Sequence, residues 1–316
     1  MSASITERFT LLGYTAGWSA VRHLPDRAAY ATFRTIADRV WRRRGPIVRR
    51  LEANLARALD TEDEAAVREA SRAGMRSYLR YWCDAFRQPD WDTDRIVSRI
   101  RVEGEDNMRA PLAAGRGVVA ALPHMANWDH AGAWACVTGA PVTTVAERLK
   151  PEKLYEQFLA FREGLGMEIL PLTGGAGDVF STLAARLREP RLVPLLADRD
   201  LSRRGIDVTL FGDAARMPAG PAALALRTGA ALVPVSLWYE GDDPDHRLVV
   251  CFHDEVPPPT GARGAERIAR FTQDLADELG KGIAAHPHDW HMMQPLFLDD
   301  LPAGDRRRTG SGGSGR

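Results

Sequence analysis

Apolar and polar positions follow two different periods along this chain, and the change falls near residue 116. Up to there the apolar positions recur every three or four residues, the spacing that lines one face of a helix. In residues 5–59, Phe9, Leu12, Trp18 and Val21 are followed by Ala28, Tyr30, Phe33 and Ile36. Pro25 divides the first helical segment from the second, and Gly45-Pro46 divides the second from a third at Ile47–Leu59. Thr61-Glu62-Asp63-Glu64 has the form of a capping box and opens a long helix to about Phe86. Its Tyr78, Tyr81, Trp82 and Phe86 read as residues that pack in the core or on the next helix. Shorter helices are predicted near Thr93–Ile100 and Asp106–Ala114.

From Gly117 the rhythm becomes strand, turn, helix. The predicted strands are Val118–Leu122, Val142–Val145, Glu168–Leu170, Leu192–Leu196, Val208–Phe211, Ala231–Tyr239 and Arg247–Phe252. Helices are predicted between several of them, at Ala131–Val137, Pro151–Glu163, Asp178–Leu187 and Pro221–Thr228, with a last one at about Ala265–Ala285. This alternation predicts an α/β fold: a mostly parallel mixed sheet covered by helices on both faces, with an N-terminal helical layer. No internal repeat or interdomain linker interrupts it. Residues 1–305 are therefore read as a single domain, with 1–115 mainly helical and 116–305 the α/β core, and 306–316 as a flexible tail.

Composition narrows the function classes. With 316 residues and 45% hydrophobic content the chain can bury a sizeable core. The formal net charge is zero, so nucleic-acid binding by bulk charge is not expected. Charge is uneven, however. Arg42-Arg43-Arg44 and Arg49-Arg50 form a basic cluster near the N-terminus, and Arg306-Arg307-Arg308 another near the end. Aromatic residues beside arginines suit either an element lying on an anionic membrane surface or an ordinary surface helical hairpin. The longest uncharged run there, Phe9–Val21, is too short to span a bilayer, and no secretory signal peptide is expected. Cys83, Cys136 and Cys251 are scattered and odd in number, which predicts neither a disulfide framework nor a zinc site.

Candidate chemistry sits where strands end, as expected for ligands in open α/β sheets. His124 follows the strand Val118–Leu122 and precedes a helix, with Asp129 five residues on. On one regular helix the two would diverge by about 140°. With His124 still in the turn, its ring can fold back onto Asp129, an arrangement suited to a general base steadied by a carboxylate. Asp198 ends another apolar strand, and facing His124 it would orient the imidazole in the same way. Glu147, Arg148 and Lys150 follow a third strand, and Tyr155, Phe158 and Arg162 share one helical face beyond it. Leu172–Asp178 is glycine-rich but lacks the Lys and Ser/Thr of a Walker loop. Phe211–Pro221 reads as a loop before a helix whose first turn could bind an anion. His286-Pro287-His288-Asp289-Trp290-His291 matches no zinc spacing, so no metal is expected there, and a structural or headgroup-contacting role is read instead.

With these residues in view, the chain resembles the lysophospholipid-acyltransferase superfamily, marked by His, four residues, Asp, here His124 to Asp129. Within it the chain is similar to the branch of lipid A lauroyl/myristoyl acyltransferases. The similarity runs through Glu147-Arg148 with Arg162, Ala197-Asp198-Arg199-Asp200, and Phe211-Gly212 to Pro218-Ala219-Gly220-Pro221. Thr144–Pro151, Leu170–Gly175 and Asp289–Pro295 look like the phosphatidylinositol mannoside acyltransferases of actinobacteria.

The resemblance implies an enzyme that moves a palmitoyl-type acyl group from acyl-CoA to a mannose hydroxyl of a phosphatidylinositol mannoside. Acyl-CoA is then a co-substrate, and no cofactor is implied. It implies peripheral work on the cytoplasmic face of the plasma membrane, against an anionic surface. It makes His124 the general base, with Asp129 in the same motif and Asp198 as the acid paired with the histidine. Glu147 and Arg162 would line the acceptor side. Arg148, Arg199, Asp200, Arg216 and Gly220 lie in the matched strings and are further substrate-binding candidates. The chain has no Gly-x-Ser-x-Gly elbow, which agrees with direct transfer in a ternary complex and no acyl-enzyme. The alternatives are a related acyltransferase with another glycolipid or lysophospholipid acceptor, and a catalytically silent lipid-binding protein.

Overall fold

The computed structural model describes residues 21–146, 159–160, 162–171, 178–200 and 205–301. Glu147, Arg148, the aromatic pair Tyr155 and Phe158, the glycine-rich run at 172–177 and the C-terminal tail lie outside the described residues.

Local chemistry sets the ends of the first helices. α1 (Asp26–Arg43) starts after Pro25 and stops where Arg44 turns left-handed, with φ of 44°. α2 (Pro46–Ala58) has its proline at the first position, where no N–H is needed. α3 (Glu64–Arg87) is capped by Asp63, whose side chain accepts from the Ala65 N–H at 2.9 Å. The expected capping box does not form. Thr61 Oγ1 accepts from Asp63 N instead, and the helix starts only at Glu64. α1 lies along α3, joined by Asp38, which takes forked hydrogen bonds from Arg72 and Arg76.

The remaining elements follow in order: α4 (Thr93–Ser98), β1 (Ile100–Glu103), α5 (Glu105–Ala113), β2 (Val118–Leu122), α6 (Trp128–Val137), β3 (Thr143–Ala146), β4 (Glu168–Pro171), α7 (Val179–Arg188), β5 (Leu192–Leu196), β6 (Ile206–Leu210), β7 (Asp213–Met217), α8 (Gly220–Thr228), β8 (Ala231–Glu240), β9 (Arg247–Phe252) and α9 (Gly264–Ala285). The architecture is the α/β sheet flanked by helices that the periodicity predicts, with helices dominating before β2.

The five main strands run in the order β1-β9-β8-β2-β5. β2 is parallel to both β5 and β8, β9 is antiparallel to β8, and β1 is parallel to β9. The pair β3–β4 continues the sheet past β5, through a parallel bridge from Val142 to Leu192 and a bond from Thr144 Oγ1 to Pro194 O of 2.7 Å. β2 is thus central, and the chain leaves it toward β5 on one side and returns as β8 on the other. That reversal opens a crevice beyond the carboxyl end of β2. All five β2 residues are buried, as their uninterrupted apolar run predicts. They share one core with Leu51, Leu55 and Met75 of the helical layer.

Two expectations are corrected. The helix placed at Thr93–Ile100 ends at Ser98, and Ile100 opens β1. A half-buried strand of four residues carries no readable period of its own, and pairing with β9 creates it. The stretch Phe211–Pro221 is not all loop. Asp213–Met217 forms β7, an antiparallel hairpin with β6. Phe211 and Gly212 make the turn with φ of 53° and 81°, the two positive values that suit a tight hairpin. Ala214, Ala215 and Arg216 have weak strand propensity, so the ladder comes from the partner strand. No helix among the described residues is long and apolar enough to cross a membrane.

Candidate active site

The register of β2 against β5 decides which acid meets the histidine. Leu122 is paired with Leu196, so His124 and Asp198 each stand two residues past a matched pair. Ala197 N donates to Leu122 O at 2.8 Å, carrying the pairing one step beyond the strands. Asp198 then accepts from the backbone N–H of His124 at 2.9 Å, through Oδ2, and its Oδ1 lies 2.6 Å from His124 Nδ1. Trp290 Nε1 also donates to Oδ2, at 2.9 Å.

Asp198 is 1% exposed. Burial alone would raise its carboxyl, but the attraction of His124 and the hydrogen bonds from His124 and Trp290 outweigh it and hold the carboxyl below the usual range. Asp198 is then an anion, able only to accept. The Nδ1 nitrogen must therefore carry a proton, and Nε2 is the ring's acceptor in the neutral state. The His124 side chain is 28% exposed, which leaves the ring accessible.

Asp129 does not take the position that the spacing suggested. Its side chain is turned to α3 and to Arg162. Oδ1 accepts from Arg162 Nε at 2.7 Å, and Oδ2 accepts from Tyr81 OH at 3.1 Å and Arg162 Nη2 at 3.3 Å. Ala126, with φ of 43°, turns the chain sharply between the two residues. Asn127 then caps α6 by accepting from His130 N at 2.9 Å. The ring of His124 is left on the β5 side of this turn. Burial would lower Arg162, but Asp129 and Tyr81 hold it above its ordinary value. Burial, then the charge of Asp129, push the Tyr81 phenol well up.

Tyr81 and Trp128, with ring centroids 4.6 Å apart, form a stacked aromatic wall, and the edge of His124 meets Trp128 at 5.9 Å. Tyr81, read from sequence as a packing residue, thus touches both the wall and Asp129. Asp200 Oδ2 accepts from Gly205 N at 2.8 Å, and Asp200 N donates to Arg216 O at 3.2 Å. Arg216 is buried and its Nε pairs with Asp207 at 2.7 Å. Arg199 follows Asp198 directly and is half-buried, and Gly220 opens α8. The second histidine cluster does not converge. His286 stacks on Trp238 at 4.0 Å, while His291 Nε2 lies 2.8 Å from Ser77 Oγ. Among the described residues no group of three or more His, Cys, Asp or Glu is placed to hold a metal.

The histidine–aspartate pair thus lies at the switch point of the sheet, where ligands of open α/β sheets bind. The chain belongs to the bacterial lipid A biosynthesis acyltransferase family, whose model matches residues 1–299. Among its relatives, a phosphatidylinositol mannoside acyltransferase of Mycolicibacterium smegmatis is 45% identical over 302 residues, 96% of this chain and 96% of that protein. A phosphatidylinositol mannoside acyltransferase of Mycobacterium tuberculosis is 43% identical over 311 residues, 98% of this chain and 95% of that one. The resemblance read from the motifs is thereby borne out along nearly the whole chain.

Proposed function

We propose that this protein transfers a palmitoyl-type acyl group from acyl-CoA to a mannose hydroxyl of a phosphatidylinositol mannoside, with His124 as the general base. The observation that carries this is the contact of His124 Nδ1 with buried Asp198, which makes Nε2 the nitrogen that can take a proton. The acceptor is argued from the names and high identity of the relatives. His124 Nε2 removes the hydroxyl proton as the oxygen attacks the thioester carbonyl. Asp198 stabilises the imidazolium that forms. Collapse of the tetrahedral intermediate breaks the carbon–sulfur bond, and the imidazolium returns the proton to the departing CoA thiolate. Protons and charge balance without a protein nucleophile.

Work at a membrane surface is supported by the outer face of the N-terminal helices. Leu24, Ile36, Val40 and Ile47 are four of the six large apolar residues exposed among the described residues. Arg34, Arg39, Arg42, Arg43 and Arg44 are exposed around them. Apolar side chains rimmed by arginine suit a peripheral contact with anionic lipid, on the cytoplasmic leaflet. The deciding experiment is mass spectrometry of products from palmitoyl-CoA and mannosylated phosphatidylinositol. Acylated mannoside is the expected product. Transfer only to other glycolipids or to lysophospholipid would move the acceptor, and absence of any transfer would leave a lipid-binding protein.

A further inference from the structure

The stretch Asp289-Trp290-His291 lies antiparallel to the turn that carries the base. Ala126 N donates to Asp289 O at 3.0 Å, Met125 and Trp290 form a bridge, and His291 N donates to His124 O at 2.7 Å. Three successive residues of the catalytic turn are therefore pinned by three successive residues from the far end of the chain. Asp289 is itself anchored, accepting from Ser77 of α3 and from Tyr239 N of β8. Trp290 is fully buried and its ring meets the edge of Phe211, in the β6–β7 turn, at 5.9 Å.

We infer that Trp290 is a positioning residue for the acid–base pair, holding the Asp198 carboxylate so that Oδ1 faces the imidazole of His124. The inference rests on the general-base reading above. A carboxylate can turn about its last bond and present either oxygen. Here Oδ2 is occupied by two donors, the His124 backbone N–H and the indole N–H, so Oδ1 is the oxygen left for Nδ1. The indole donor comes from a segment remote in sequence that is also anchored on α3, β8 and the β6–β7 turn, so its position is set from outside the turn it steadies. The stretch Asp289-Trp290-His291 also holds Ala126 in its positive φ, a conformation that a side chain disfavours. Among the described residues, the titratable groups facing the His124 ring are Asp198 from the end of β5 and His291 from the 289–291 segment. Burial, then the charge of His124, push His291 down to about 3, so it stays neutral across the working range.

The test replaces the donor and keeps the shape. Trp290→Phe is the simple variant, and incorporation of 3-benzothienylalanine at position 290 substitutes sulfur for the indole N–H with little change in volume. In both, kcat should fall roughly tenfold with KM changed less than about twofold. The acid limb of the pH profile of kcat should move to higher pH, because charge no longer shared with the indole stabilises the imidazolium more strongly. A tryptophan that only supported the fold would lower the amount of active enzyme and leave that limb in place. A benzothienyl chain with unchanged kcat and an unshifted limb overturns the inference. His124→Ala, assayed alongside, separates the two readings. If it is inactive while the benzothienyl chain behaves as wild type, only the role of Trp290 fails. If it retains activity, the general-base reading fails and the role of Trp290 with it.

Discussion

Asp198 binds His124 twice, through the ring at 2.6 Å and through the backbone N–H at 2.9 Å, although 74 residues separate them. One carboxylate thus fixes both the orientation of the imidazole and the course of the turn beneath it. Asp129, five residues from His124 in sequence, instead serves a buried ion pair.

Replacement of His124 by Ala should abolish transfer while the protein keeps its fold. General-base catalysis is commonly worth about 10²–10⁴ in rate. Steady-state assay beside a thermal melt checks both halves, and transfer within about tenfold of wild type would remove the role.

Asp198→Asn should lower turnover strongly and cost stability only modestly. An amide offers one oxygen to the three donors now satisfied, and a buried donor left unpaired costs about 1–3 kcal/mol. The losses from His124→Ala and Asp198→Asn should be non-additive in the double variant, since the two residues act as a unit. Fully additive losses would place Asp198 in some other task.

Asp129→Ala should act mainly on stability. Arg162 would keep its charge beside a buried site without its partner, a situation that costs on the order of 3–5 kcal/mol. The double variant Asp129→Ala, Arg162→Ala should be less destabilised than the sum of the singles. Denaturant unfolding of the three variants measures this, and a wild-type midpoint for Asp129→Ala would count against it.

Acidification should destabilise the protein well before its carboxylates titrate. Burial lowers His130 to about 4 and His291 to about 3. An unfolded histidine titrates near 6.5. Between those values the unfolded chain binds protons that the folded chain does not, so stability falls as pH drops below about 6.5. His246 opposes this. Burial lowers it, but Asp84 and Asp243 outweigh burial and raise it, so its contribution is present at low pH and fades as pH rises. Burial also lowers His253 and His286, so four lowered groups against one raised group predict a net loss between pH 7 and pH 5. Urea unfolding at both values, with His130→Gln as the variant that flattens the slope, would show it. Equal or greater stability of the wild type at pH 5 would contradict it.

Vesicle binding should depend on both halves of the N-terminal surface. Ile36→Asp with Val40→Asp should weaken co-sedimentation with anionic vesicles and leave the catalytic site untouched, because both side chains are exposed on α1. Added salt should weaken wild-type binding as well, since exposed charge is screened. Binding indifferent to these substitutions and to salt would place the contact elsewhere.

The α/β alternation, the buried run of β2, the helix ends at Pro25 and Gly45-Pro46, and the strand-end positions of His124 and Asp198 were all legible in the sequence by itself. Each depends on interactions a few residues long, whether periodicity, proline geometry or an apolar run bounded by turn residues. Family motifs added the matched strings. Only the tertiary structure decided the partners. Whether His124 meets Asp129 or Asp198 turns on the parallel register of Leu122 against Leu196, and on a positive φ at Ala126 that no periodicity announces. The strands β1 and β7 exist because a neighbour supplies their ladders. Trp290 reaches Asp198 across 92 positions, a contact set by where the end of the chain packs. Local pattern carries information along the chain, whereas register and long-range packing are properties of the whole core. The candidate residues, and the pairing of His124 with Asp198 that the family motifs imply, were therefore readable, whereas the contacts of Asp129 with Arg162 and of Trp290 with Asp198 were not.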